Sequence, residues 1–150
     1  YTIQIDTHDV IVRYLRIRPG PSESFDSSIL RALTMFKSSS YNIIIDHCSA
    51  SWATDEIIST WYNPRDVTVQ WSIISESPHC STHSQGCHSK GPLFGSYGAS
   101  NISFHHNLMA HNRERNPLIK TSGMVDVVNN VAYNPKWEAS VVEDEYGKHE

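Results

Sequence analysis

The 150-residue sequence has no long apolar run and no excess of positive charge. Because it lacks a stretch of about 18 apolar residues, it contains no candidate membrane span. Its formal net charge of -4 and isoelectric point near 6.1 argue against a general nucleic-acid binder, since phosphate binding needs a basic surface. The first ten residues show no basic segment followed by an apolar run, so no signal peptide is visible. We expect one globular domain over residues 1–150, a monomer without nucleic-acid or membrane partners, that binds a small or local anion.

Cysteine is also scarce, with three residues in the chain. Cys80 and Cys87 could close a short disulfide loop, whereas Cys48 stands in an apolar run and is expected to be buried. Histidine is abundant, and the stretch His79–His88 contains zinc-binding residue types. Its spacing fits none of the standard paired zinc patterns, so we predict a polar loop there rather than a metal site.

Five segments of the chain repeat one pattern, with apolar residues at the second and fourth positions. They are "DVIVRYL", "NIIIDHC", "DVTVQWS", "NISFHHN" and "MVDVVNN", which begin at Asp9, Asn42, Asp66, Asn101 and Met124. Alternation with period two is typical of β-strands, and a unit of 23 or 24 residues holds two or three short strands. Stacking such units predicts an all-β fold, a parallel β-solenoid of about five rungs. Since neither end resembles a cap, we expect a fragment of a longer solenoid.

Stacking also assigns places to single positions within the repeat. The seventh residues, Cys48, Ser72, Asn107 and Asn130, are predicted to form an inward or turn ladder, with the two asparagine amides paired. Trp71 stands at the sixth position, which we expect at the surface or in a turn. The segment 26–36 has helix-like apolar spacing, but its second half, "ALTMF", also suits a strand, which we favour.

Charged residues recur at similar distances before the repeats. Arg31, Asp55 and Lys90 each lie eleven residues before a repeat start, and Arg115 lies nine before Met124. Equal offsets in a regular solenoid stack on one flank, which predicts a charged stripe with Lys120 and Arg113 close by. Such a stripe suits an extended polyanion such as an acidic polysaccharide. A solvated charged face without a ligand is the alternative.

Several motifs in order resemble one enzyme family. The stretches "NIIIDHCSASWATDE", "HSKGPLFGS" and "RNPLIK" followed by "VDVVNNVAYN" resemble the pectate lyases of polysaccharide lyase family 1, over about residues 10 to 133. The resemblance implies a right-handed parallel β-helix, secreted or periplasmic, that cleaves polygalacturonate by β-elimination. A non-catalytic carbohydrate-binding β-helix is the alternative, and a hydrolase on the same fold is a third.

The resemblance also assigns site residues. Arg115 matches the catalytic arginine, and Lys90 matches the lysine of a His-x-Lys-x-x-Leu-x-Gly motif, with His88 in register. We take Arg115 and Lys90 as catalytic, and Lys120, Arg113, Arg31 and His88 as substrate-binding. Lys120 stands where the family has arginine, so it keeps the charge but loses the bidentate fork. A base of this kind, surrounded by cations, implies an alkaline optimum.

The calcium site that the family implies is altered in this sequence. Its expected acidic positions match Arg31, Asp55 and Ser59, so one of the three is a carboxylate. Calcium takes six to eight oxygen ligands, so we keep it as a candidate cofactor through Asp55 alone. The other hypothesis is that Arg31 replaces the cation as a fixed positive charge. Glu56 follows Asp55, and on a strand the two would point to opposite faces, which argues against a glycoside hydrolase pair.

Overall fold

A computed structural model describes residues 2–20, 29–88, 90–95 and 98–143. Within these residues the regular structure is short β-strands without helices. In chain order the strands are β1 (Ile3–Gln4), β2 (Val10–Arg13), β3 (Arg16–Ile17), β4 (Leu33–Met35), β5 (Tyr41–Asp46), β6 (Ser49–Ser51), β7 (Ile58–Thr60), β8 (Arg65–Gln70), β9 (Ile73–Ser75), β10 (Leu93–Gly95), β11 (Ser100–His105), β12 (Leu108–Ala110), β13 (Leu118–Lys120), β14 (Val125–Val128), β15 (Val131–Tyr133) and β16 (Val141–Val142).

Every third strand joins the same sheet, so the chain winds as a parallel β-helix. Sheet A has the order β1-β4-β7-β10-β13-β16, sheet B is β14-β11-β8-β5-β2, and sheet C is β15-β12-β9-β6-β3, with all pairs parallel. Each turn of the winding therefore adds one strand to each sheet. The strands make five complete turns and begin a sixth, which confirms the predicted solenoid of about five rungs. No helix long and apolar enough to span a membrane occurs in the described residues.

The five repeated segments form sheet B in the predicted register. Val10 pairs with Ile43, Ile43 with Val67, Val67 with Ile102 and Ile102 with Val125, so each second position stacks on the next. The middle three of these side chains are fully buried in the central core. Burial of this face explains the apolar alternation, because a one-residue slip would expose every core side chain of the strand.

The seventh positions form the predicted inward ladder between sheets B and C. The backbone N–H of Cys48 donates to Ser72 Oγ at 3.0 Å, that of Ser72 to Asn107 Oδ1 at 3.0 Å, and that of Asn107 to Asn130 Oδ1 at 2.8 Å. Asn107 Nδ2 also donates to Asn130 Oδ1 at 3.1 Å, which confirms the paired amides. These side chains satisfy backbone donors where the chain turns and the sheet ladder is interrupted.

The sixth positions form an exposed aromatic column at the same corner. Trp71 is half exposed with a φ of 47°, and its ring stacks on that of His106 at 4.3 Å between centroids. Tyr14 and His47 continue the column in the preceding turns of the winding. The predicted surface or turn position of Trp71 is confirmed.

Two local expectations, a strand within the segment 26–36 and a buried Cys48, are also confirmed. The ambiguous segment 26–36 contains strand β4, although residues 26–28 lie outside the described part of the chain. Cys80 and Cys87 form a disulfide, and Cys48 is a buried free thiol. The disulfide closes the loop that joins β9 to β10 and holds it beside sheet A.

Candidate functional site

A depression of about 300 Å³ opens beside the N-terminal ends of the sheet A strands. We call it the charged pocket. Most of its lining comes from the residues that lead into β4, β7, β10 and β13, and the rest from the disulfide loop and from Trp61, which follows β7. It is lined by Ile29, Arg31, Asp55, Glu56, Trp61, His83, Ser84, Gln85, His88, Lys90 and Arg115. Lys90 and Arg115, 25 residues apart in the sequence, therefore lie on one pocket.

The register beside the pocket differs by one residue from the predicted stripe. The backbone of Lys90 forms isolated β-bridges with Glu56 on one side and with Glu114 on the other, rather than with Asp55 and Arg115. One cause is a shorter connection between β7, which ends at Thr60, and β8, which starts at Arg65. The residues that pair with Thr60 and Arg65 in the turns before and after are one residue further apart in the sequence. The equal-offset prediction was therefore wrong in its pairing, although the predicted side chains still converge.

Two adjacent carboxylates meet one guanidinium inside the pocket. Arg31 Nη2 pairs with Asp55 Oδ2, and Arg31 Nε donates to Glu56 Oε2 at 2.9 Å. Each carboxylate side chain is 5% exposed. The prediction that Asp55 and Glu56 point to opposite faces was wrong, because both residues precede β7 rather than lie within a regular strand. Arg31 is held as a fixed cation between two buried acids.

Arg115 binds one of these carboxylates, that of Glu56, through its other oxygen. Its Nη1 donates to Glu56 Oε1, so Glu56 lies between two guanidinium groups. Arg115 has a φ of 61°, a conformation that turns it out of the sheet ladder and leaves Glu114 as the bridge partner of Lys90. The chain geometry before β13 therefore points this side chain into the pocket.

Lys90 is the least exposed of the cations that line the pocket, at 12% of its side chain. Its Nζ lies 3.8 Å from Glu114 Oε1, beyond hydrogen-bond length. Burial lowers the pKa of Lys90, and the positive charge of Arg115 lowers it further, against the opposing carboxylates of Glu114, Glu56 and Asp55. Lys90 and Arg115 thus lie close enough for their charges to interact.

Two stacked histidines cover the remaining oxygen of Asp55. His88 Nε2 lies 3.0 Å and His83 Nε2 lies 3.6 Å from Asp55 Oδ1, and the rings are parallel with centroids 3.5 Å apart. Burial raises the pKa of Asp55, but the hydrogen bond with His88 and the charge of Arg31 outweigh it and lower the pKa to about 2. Asp55 is therefore held as an anion.

Two predicted substrate-binding residues lie away from the charged pocket. The Arg113 guanidinium covers the Trp137 ring at 3.4 Å from its centroid and donates to the carbonyl oxygen of Cys87, beside a separate depression that His79 and His111 help to line. Lys120 ends β13, with its Nζ 3.3 Å from Glu143 Oε2. The structure gathers the other predicted site residues, Arg31, Asp55, His88, Lys90 and Arg115, in the charged pocket.

Six pocket residues are not among the predicted site residues: Ile29, Glu56, Trp61, His83, Ser84 and Gln85. Glu56 had been placed on the opposite face, His83 had been assigned to a polar loop, and Trp61 had no assigned role. Trp61 follows β7, and its backbone N–H donates to the backbone carbonyl of Met35 in the neighbouring turn of the winding. A signal for His83 was its place inside the disulfide loop, three residues before a glycine of positive φ, but nothing in the spacing pointed to Asp55.

The residues at the calcium position do not fit calcium. Asp55 and Glu56 supply carboxylate oxygens, but both bind Arg31. Ser59, the third expected position, is buried within β7, and its hydroxyl has no partner among the described residues. A cation that needs six to eight oxygens would have to displace a guanidinium of like charge. Asp55 is therefore better described as a partner of Arg31 than as a calcium ligand.

The chain is similar to fungal proteins named "Probable pectate lyase C". Those of Aspergillus flavus, Aspergillus oryzae and Emericella nidulans are each 36% identical over 126 residues. The aligned part is 84% of this chain and 26% of each relative, so the chain spans about a quarter of the length of the curated relatives that it matches. No family model matches the chain. Over most of its length, the chain is therefore similar to proteins that carry a pectate lyase name.

Proposed function

We propose that the chain carries the anion-binding site of a pectate-lyase-like enzyme that cleaves polygalacturonate, or a related uronic-acid polymer, by β-elimination. The observation that carries the proposal is that Arg31, Lys90 and Arg115 line one open pocket, although they come from three different turns of the winding. Similarity to fungal proteins with a pectate lyase name supports the same chemistry. The substrate partner is thus an acidic polysaccharide.

The elimination removes a proton from C5 of a galacturonate, next to its carboxylate, and expels the 4-linked sugar. The difficulty is that negative charge develops beside an existing anion, so cations that contact the carboxylate stabilise the transition state most. Lys90 suits this role because it is largely buried and its acidic partner Glu114 lies beyond hydrogen-bond length. Arg31, fixed by two carboxylates, adds positive charge where the family implies calcium.

Arg115 is the proposed proton acceptor, on the resemblance to the family's catalytic arginine. A guanidinium is ordinarily protonated, and Arg115 binds the carboxylate of Glu56, which stabilises positive charge. Arg115 could therefore act by charge alone. Arg115→Lys separates the two roles: a charge role predicts that most of the activity remains, whereas a base role predicts a large loss and an altered pH–rate profile.

A second candidate is a carbohydrate-binding β-helix without catalysis. It is favoured by the ion pairs of the pocket, because Arg31 and Arg115 both already bind a carboxylate and Lys90 has one nearby. In that case the pocket would hold a uronate through Lys90, and Trp61 at the rim would offer an aromatic face to a sugar ring. This function predicts binding of oligogalacturonates without cleavage.

An elimination assay on polygalacturonate decides between the two. Cleavage releases unsaturated oligouronides that absorb in the ultraviolet, and we expect Lys90→Ala and Arg115→Ala each to lower the rate by roughly 100-fold or more, typical of the loss of one transition-state contact. Arg65→Ala, which removes an arginine at the start of β8 in sheet B that does not line the pocket, is the matched control. Binding without any ultraviolet product supports the second candidate, and equal activity of all three variants rules out the proposed site.

Export from the cytoplasm belongs to the same proposal. The Cys80–Cys87 disulfide supports it, because disulfides persist in secreted and periplasmic proteins and are rare in the cytosol. We expect the protein isolated from its natural source without reductant to have no free thiol at these two positions, as measured by alkylation and mass spectrometry. Full alkylation of both cysteines would contradict the proposed location.

A further inference from the structure

Three buried side chains on the inner wall of the charged pocket point their ligand atoms at one another. Asp55, His83 and His88 are each less than a tenth exposed, and their ligand atoms all lie within 4.8 Å of one another. Both histidines direct Nε2 at the same oxygen, Asp55 Oδ1, at 3.0 and 3.6 Å. Two imidazoles and one carboxylate are a donor set that divalent transition metals use, and it differs from the all-oxygen sets that calcium takes.

The spacing of the donors matches what one ion requires. With metal–ligand bonds of about 2.1 Å in a tetrahedral arrangement, neighbouring donor atoms lie about 3.4 Å apart. The two nitrogens already lie within a few tenths of an ångström of that distance from Asp55 Oδ1. The stacked rings must tilt toward a common centre, since lone pairs on parallel rings do not converge. Both imidazole rings must therefore rotate for the site to form.

The surroundings hold the ligands in place. Arg31 binds Asp55 Oδ2 and leaves Oδ1 directed at the histidines, which is the kind of outer contact that orients a ligating carboxylate. The Cys80–Cys87 disulfide encloses His83 and immediately precedes His88, so it fixes both histidines relative to each other. From these contacts we infer that Asp55, His83 and His88 form a binding site for one divalent transition metal ion, with zinc the first choice.

Two features of the pocket oppose metal binding. The backbone N–H of Gln85 donates to His83 Nδ1 at 3.1 Å, so the exposed turn at residues 84 and 85 must rotate for His83 to bind metal through Nε2. Arg31 and Lys90 place positive charge nearby, partly offset by Glu56. Zinc suits such a site better than calcium because imidazole nitrogen is a preferred zinc donor and a poor calcium donor.

The test is a metal titration of the whole chain, stripped with chelator and kept without reductant so that the disulfide stays closed. Calorimetry with zinc is expected to show one ion per chain, and excess calcium should not compete. His83→Ala and His88→Gln should each lower zinc affinity by more than the roughly 10-fold to 100-fold that loss of an outer partner costs. His105→Ala, which removes a partly exposed histidine from sheet B, is the matched control and should bind as the wild type does.

Cobalt gives a readout that does not depend on the variants folding. If the three residues bind, cobalt added to the wild-type chain should produce the intense visible bands of a four-coordinate site, and zinc should abolish them. The inference is overturned if zinc and cobalt bind no more than weakly and without saturation. It is also overturned if binding survives in both site variants, or is lost in His79→Ala, which would place the ion at the exposed histidine beside the disulfide. No substrate is present, so the result is separate from that of the elimination assay.

Discussion

Replacing Arg31 by aspartate tests whether this guanidinium takes the place of a metal ion. The Arg31 side chain is 15% exposed and binds two carboxylates that are each 5% exposed. Removing one partner of a buried ion pair costs about 3–5 kcal/mol because the other charge stays buried and uncompensated. Since Arg115 still binds Glu56 and His88 still binds Asp55, we expect Arg31→Ala to lie at the low end, about 3 kcal/mol, and Arg31→Asp to be less stable still.

The same change should create a response to calcium. Arg31→Asp collects three carboxylates at one place, an oxygen-rich set suited to a hard cation. At a calcium concentration ten times its dissociation constant, binding stabilises the folded state by about 1.4 kcal/mol. Urea denaturation of Arg31→Asp should therefore shift to a higher midpoint when calcium is added, whereas the wild-type midpoint should stay unchanged.

Arg13→Ala is the matched control for this experiment. Arg13 Nε donates to the buried carboxylate of Asp46 at 2.7 Å, so the variant also takes an arginine from a buried aspartate. No second carboxylate adjoins Asp46 among its described partners, which are Gln70 and His47, and so we expect no calcium response. The reasoning is refuted if calcium stabilises the wild type as much as Arg31→Asp, or if Arg31→Asp does not respond at any calcium concentration.

Three further predictions concern the winding and the pocket backbone. Asn107→Ala should cost about 3 kcal/mol by urea denaturation, because it leaves several buried hydrogen-bond partners unsatisfied, whereas a loss below about 1 kcal/mol would contradict the ladder. Gly91→Ala should cost about 1–3 kcal/mol and lower elimination activity, since its Cβ would overlap the carbonyl oxygen of Arg115; unchanged kinetics would contradict this contact. Hydrogen bonding, chiefly from Gln70, lowers the pKa of Asp46, so its contribution to stability is present above the unfolded pKa near 3.8 and is lost as pH falls below it. Asp46→Asn should therefore flatten the acid limb of stability against pH, and an unchanged limb would contradict that role.

Sheet B and the corner ladder were predictable from the sequence because they repeat a local pattern. Ile43, Val67 and Ile102 stack at the same buried position of successive strands. Burial of alternate residues along each strand imposes an apolar period of two that survives changes in loop length. Asn107 and Asn130 likewise occupy one position of the repeat and bind each other. Five copies of one pattern were enough to fix the register of this sheet.

The pocket was predictable only in part because irregular segments determine its register. Counting from the repeat starts placed Asp55 and Arg115 beside Lys90, but a connection one residue shorter after β7 and the left-handed conformation at Arg115 moved Glu56 and Glu114 there instead. Such shifts leave no mark in the apolar pattern. The convergence of the side chains survived because arginine and lysine are long enough to span a one-residue displacement.

The pairing of His83 with Asp55 was beyond sequence reasoning for another reason. The histidine lies 28 residues after the aspartate, in a loop of irregular structure, and standard metal spacings describe ligands that are near each other in sequence. What brings the two together is the disulfide, which folds the loop back over the residues that lead into β7. A contact between a residue of the winding, such as Asp55, and a residue of an inserted loop, such as His83, depends on both the winding and the loop conformation.

The central proposal is that Lys90 and Arg115 both act on a uronate bound in the charged pocket, and a double-mutant cycle on trigalacturonate binding tests it most directly. Calorimetric affinities of the wild type, Lys90→Ala, Arg115→Ala and the double variant give the coupling energy between the two side chains. We predict that each single change weakens binding and that the coupling is at least about 0.5 kcal/mol, since residues sharing a partner are not additive. Wild-type affinity in both single variants, or strictly additive losses, would show that the two cations do not act on one bound uronate.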